Sequence, residues 1–208
     1  MRRVAAVVAT LCLVALLLLA AGAARAQAPG DLYRRSYAAE ARGDVEGALE
    51  PLERLGPAGA GYVAQLRKGW LLYLAGRHAP AAEHYLRAAA LEPAAVEPRL
   101  GAMLPLMALR RWKDAERLGE EVLALAPNDF LATSRLAWVH YNQAQWAEAE
   151  ALYRRALAAY PASAEMLAGL GWTLLKQGRH REARTALEAA LAFAPDHQVA
   201  RDGLAAIP

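Results

Sequence analysis

Residues 164–195 read AEMLAGLGWTLLKQGRHREARTALEAALAFAP, and this stretch decides the fold. Leu167, Leu170, Leu174 and Leu175 recur at helical spacing, and Gly178 stops the helix they define. Ala183, Leu187, Ala190 and Leu191 then stripe a second helix, which Pro195 ends. Small residues at Gly171 and Ala183 let the two axes approach, because a larger side chain at either would overpack the contact at a cost of roughly 1–3 kcal/mol. A helix pair of this kind buries one face internally and leaves the other for a neighbouring pair.

The neighbours are in the chain. At a shift of 34 residues, without a gap, Ala81, Ala115, Ala149 and Ala183 align, as do Pro93, Pro127, Pro161 and Pro195. Gly69, Met103, Ala137 and Gly171 form a third column, Ala88, Val122, Ala156 and Ala190 a fourth, and the rings of His78, Trp112, Trp146 and His180 a fifth. Phe occurs only twice and runs of Val, Ile and Thr are missing beyond the first dozen residues, so strands have little to be built from. The reading is all-α, a solenoid of stacked helix-turn-helix units.

The columns resemble the tetratricopeptide repeat family. Its signature is matched by Leu167, Leu170-Gly171, Leu174, Ala183, Leu187, Ala190 and Pro195. Leu136-Ala137, His140, Ala149, Tyr153, Ala156 and Pro161 match in a second copy, and Gly69, Leu72, Ala81, Tyr85, Ala88 and Pro93 in a third. The expected organisation is four copies over 62–95, 96–129, 130–163 and 164–195, a degenerate first repeat and linker over 27–61, and a capping helix over 196–208. The copy at 96–129 departs from the pattern. Met103 takes the close-packing position, Gly119 stands where an aromatic is usual, and Pro105 inside the first helix predicts a bend that Gly101, four residues back, would ease. In the degenerate copy Pro51 reads as an interruption and Gly56–Gly61 as a flexible connector; no strand precedes those glycines and no Lys-Ser/Thr follows, so they are not a phosphate loop.

The N-terminus reads as a signal peptide, 1–26. Arg2 and Arg3 open it, Val4 to Ala21 is apolar except at Thr10 and Cys12, and Ala24-Arg25-Ala26 is a small-x-small cleavage site. The apolar run is also long enough to act as an uncleaved signal anchor. Without the leader the 24 basic residues fall to 21, equal to the 21 acidic ones, and the net charge of +3 becomes zero. A balanced chain lacks the basic face that phosphates require, which argues against nucleic acid as a partner. The single cysteine, Cys12, leaves with the leader, so the mature chain suits an oxidising compartment and offers no Cys-based zinc site.

No metalloprotease motif, nucleophile elbow or Walker loop occurs, and His78 and His84 are too far apart around a helix to share a metal, so neither catalytic residues nor a metal or cofactor are expected. Arg110-Arg111-x-Lys113 and Arg179-x-Arg181 read as salt-paired edges. What remains is an aromatic series on the first helices: Trp70, Leu104, Trp138 and Trp172, each followed three residues later by Tyr73, Met107, Tyr141 and Leu175. In the family the first helices line the concave surface, so the resemblance implies that these eight side chains form a partner-binding groove; packing between adjacent helices is the alternative use of the same spacing. The family's clamp for acidic C-termini places Asn and Lys where Trp stands here, so that mode is not expected. The functional reading is an exported, periplasmic, non-enzymatic adaptor that binds a protein or peptide segment. The alternatives are a membrane-anchored subunit or assembly factor of a secretion, polysaccharide-export or cytochrome-maturation complex, with membrane contact only through an uncleaved N-terminus, and less directly a carbohydrate binder or enzyme.

Overall fold

The structure is a computed structural model that describes residues 28–208; the leader reading falls on residues outside those described. Among the described residues there are eleven α-helices, one short 3-10 helix and no strand. The chain divides into two compact units, one ending at Ala58 and one beginning at Gly59.

The first unit holds α1 (Pro29–Glu40) and α2 (Val45–Glu53). Gly43 takes the left-handed turn at φ +77°, and Asp44 caps α2 by accepting from the Gly47 amide at 2.8 Å. The buried Ser36 hydroxyl donates to the Ala48 carbonyl at 2.7 Å and joins the two helices. Pro51 does not interrupt α2, which runs on to Glu53; its ring is fully buried, and that packing offsets the one lost backbone bond. The glycine-rich connector is ordered as a 3-10 helix, Gly56–Ala60, and the Gly59 carbonyl accepts from the Gln65 side chain at 2.7 Å.

The second unit contains α3 (Tyr62–Leu74), α4 (His78–Leu91), α5 (Glu97–Ala108), α6 (Trp112–Leu125), α7 (Phe130–Asn142), α8 (Trp146–Ala159), α9 (Ala164–Lys176), α10 (His180–Phe193) and α11 (Gln198–Ala205). The turn inside each pair repeats atom for atom. The amides of Arg77, Arg111, Gln145 and Arg179 reach back over the helix end to the carbonyls of Leu72, Leu106, His140 and Leu174 at 2.8–3.0 Å. Each turn is closed by a residue of positive φ: Gly76, Arg110, Ala144 and Gly178.

Packing within a pair is a large-into-small contact whose polarity can reverse. A Cβ added to Gly69 would lie 2.9 Å from the Tyr85 ring, and one added to Gly171 would lie 2.5 Å from Leu187 Cγ. In α5 and α6 the partners are exchanged: Met103 is the large residue, and a Cβ on Gly119 would come within 2.9 Å of its methyl and 2.5 Å of Leu136 Cγ. The departures at 103 and 119 therefore compensate each other. The same large residues reach the following pair, Tyr85 over Gly101, Tyr153 over Gly169 and Leu187 over Gly203. The space at Gly101 is thus filled by a tyrosine ring, and α5 continues through the buried Pro105 to Ala108.

The first helices α3, α5, α7 and α9 pack in succession, α9 also meets α11, and the second helices make no comparable contact with one another. The stack consequently closes on the first-helix side and opens on the other. Its core runs from Leu106, Leu118 and Leu136 through Tyr153, Leu170 and Leu174 to Leu187. Helix α11 stands one repeat length beyond α9, with Ala200 and Gly203 buried against the last pair.

Candidate functional site

Side chains on the outer face of the first helices follow helical spacing. On α3, Val63, Trp70 and Leu74 share one face and are 55%, 38% and 43% exposed; on α7, Leu131 and Trp138 repeat it at 48% and 42%. Large apolar groups this open are informative because they recur at matching positions of α3 and α7, each of which packs against α5 between them. Tyr73, Leu104, Met107, Tyr141, Trp172 and Leu175 are half-buried on the same series of helices.

The eight residues do not have equal surroundings. The Trp70 ring lies 6.1 Å from Tyr73, which in turn lies 5.6 Å from His78. Trp138 meets Trp112 of the preceding pair edge-on at 5.2 Å, and Tyr141 meets Trp146 at 5.4 Å. Burial raises the Tyr141 hydroxyl above its ordinary value. Met107 packs on the core of α5 and α6, and Tyr141 and Leu175 on that of α8 and α9. Trp172 faces the C-terminal helix and donates its indole N–H to the Val199 carbonyl at 2.9 Å. The aromatic series thus combines exposed walls at Trp70 and Trp138 with rings that fix neighbouring helices.

Sequence reasoning missed the polar latches behind this face. Gln143 donates to Glu116 at 2.7 Å, and one repeat later Gln177 donates to Glu150 at 2.9 Å. Glu150 is buried and also receives Arg179 at 2.7 Å and Arg154. Burial alone would raise its carboxyl, but the bonds from Gln177 and Arg179 outweigh it and hold the group below the usual carboxylate range. Arg179 also pairs with Glu182, so this arginine is part of a latch between repeats as well as of a surface edge. The signal was present as recurring columns, Glu116 with Glu150 and Gln143 with Gln177. Arg135 turns inward and donates to the Leu100 carbonyl at 2.6 Å; burial lowers its guanidinium from the ordinary value. Among the described residues no three His, Cys, Asp or Glu side chains come together to hold a metal, and no helix is long and apolar enough to cross a membrane.

A family model for the tetratricopeptide repeat matches residues 106–164 and 134–198. The fold is that of a tetratricopeptide-repeat protein. Solved structures agree. MamA from Desulfovibrio magneticus RS-1 is 20% identical with a TM-score of 0.75, over 83% of this chain and 98% of that one. YrrB, described as a TPR protein with an unusual peptide-binding site, is 18% identical at 0.69, over 80% and 87%. A thermophilic TPR protein from Thermus thermophilus is 21% identical at 0.65, over 86% and 98%. At these identities the likeness is one of fold. No curated protein matches the sequence.

Proposed function

We propose that this chain is an exported, non-enzymatic adaptor that holds a segment of another protein against the first-helix face. The observation that carries the reading is the exposure of Val63, Trp70, Leu74, Leu131 and Trp138 at matching positions of α3 and α7, the two first helices that flank α5. Aromatic side chains supply large contact area and dominate binding hot spots. YrrB, which shares the fold, is described as having a peptide-binding site. The mature chain starts at Gln27 and works in the periplasm.

Affinity capture from envelope extracts with wild type, Trp138→Ala and Arg155→Ala, each checked for its unfolding midpoint, tests the reading. A partner held by wild type and Arg155→Ala and released by a stably folded Trp138→Ala supports the groove. Equal retention by all three would remove it. The second reading, a membrane-anchored subunit of an envelope machine, is favoured by the apolar run from Val4 to Ala21. Intact mass separates the two: a soluble species beginning at Gln27 supports export and cleavage, and a full-length species confined to the membrane pellet supports the anchor.

A further inference from the structure

The first turn of each first helix presents one side chain in a column that alternates strictly: Val63, Glu97, Leu131, Glu165, Val199. All five are exposed, the apolar members by about half of their surface. The exposed tryptophans follow the same beat, with Trp70 and Trp138 on the helices that carry Val63 and Leu131. Apolar and acidic helices therefore take turns along the face.

Arg99, Arg135, Lys68 and Lys176 on these helices are directed elsewhere than to the two acids. Arg99 is taken up by Glu121 and the Ala95 carbonyl, and Arg135 by the Leu100 carbonyl. Lys68 acts on His84, on the side of α4. Lys176 lies about three helical turns from Glu165, at the other end of α9. Glu97 receives one long bond from the Tyr62 hydroxyl at 3.4 Å.

We infer that the groove is built for an extended protein segment carrying Lys or Arg about three residues from each apolar anchor. Packed helices lie about 8–10 Å apart and an extended chain advances about 3.3 Å per residue, so successive first helices meet about every third residue of a chain laid across them. Anchors over α3 and α7 then bracket a basic residue over Glu97, and Glu165 takes the next. The inference rests on the adaptor reading and adds to it the chemistry of the partner.

The test is selection of a random dodecapeptide library displayed on phage against the leaderless protein, with Trp138→Ala as the counter-screen and Glu97→Gln/Glu165→Gln as the charge variant. The expected result is that peptides lost on Trp138→Ala carry Lys or Arg at the stated spacing. The selected peptide should bind the doubly substituted variant about threefold to tenfold more weakly, and 0.5 M salt should bring wild type to the same level, an effect of about the size of two exposed charge pairs. Trp138-dependent peptides without a basic preference, or with unchanged affinity for the glutamine variant, would overturn the inference and leave the groove standing; the two carboxylates would then serve the helix N-termini alone. If no Trp138-dependent peptide emerges, the adaptor reading fails with it.

Discussion

Gly101→Ala tests the interlock that joins one repeat to the next. The new methyl would lie 2.3 Å from Cε1 of Tyr85, 2.6 Å from Cδ1 and 2.7 Å from Cζ. Carbon atoms pack at about 3.5–4.0 Å, so the ring must retreat by roughly 1 Å. Its room to move is small: the ring is buried and also lies against Gly69, where an added Cβ would stand only 2.9 Å away. Two effects oppose each other. Alanine in a helix interior gains about 1 kcal/mol over glycine, while overpacking a closed core costs about 1–3 kcal/mol. The ring is buried and lies close against both glycines, so the second effect wins and the variant should lose about 1–2 kcal/mol. Gly30→Ala is the comparator, because nothing lies within 4 Å of its added Cβ; it should be neutral or more stable by up to about 1 kcal/mol. Urea denaturation measures both. Tyr85→Leu, in a double-mutant cycle with Gly101→Ala, should recover at least about 1 kcal/mol of the loss. A Gly101→Ala protein as stable as wild type, or a cycle additive to within about 0.5 kcal/mol, would refute the interlock.

Three further substitutions probe other parts of the frame. Ala144 occupies the left-handed turn at φ +60° that Gly76 and Gly178 fill elsewhere, so Ala144→Gly should raise stability by about 0.5–1 kcal/mol in thermal unfolding. The Glu150 carboxyl is held below 4.5 in the fold, so its contribution is complete above the unfolded value and lost as pH falls through the lower folded one; denaturation curves from neutral pH downward should show a shallower acid loss for Glu150→Gln. Trp172→Phe keeps the ring but gives up the bond to Val199, at a cost of about 0.5–1.5 kcal/mol, and hydrogen exchange should quicken across α11 and not across α3 to α6.

The fold was legible because its signals are local and repeated. Period, turn glycines and terminating prolines each act within a few residues, and four copies average out the exceptions. What misled was the comparison of each position only with its own copies. Met103 and Gly119 read as two departures, whereas in space they are the two halves of one contact, large exchanged for small. Pro51 read as a break because a lost backbone bond is visible in sequence and the burial of its ring is not. The exposed first-helix face was half legible for the same reason. The column of Trp70, Leu104, Trp138 and Trp172 marks a face, but exposure depends on what each ring meets: Trp138 stands open beside Trp112, and Trp172 is engaged by the carbonyl of Val199. A shift of one repeat also merges what alternates over two. Glycine at 101 and 169 receives Tyr85 and Tyr153, while arginine at 135 follows the glycine at 119, where no ring arrives to be received. The exposed column of Val63, Glu97, Leu131 and Glu165 keeps a two-repeat beat, whereas the buried interlock lapses only at 135 and is resumed by Tyr153 over Gly169 and Leu187 over Gly203. Odd and even repeats therefore differ on the exposed face, and the unit that a partner would read there is a pair of repeats.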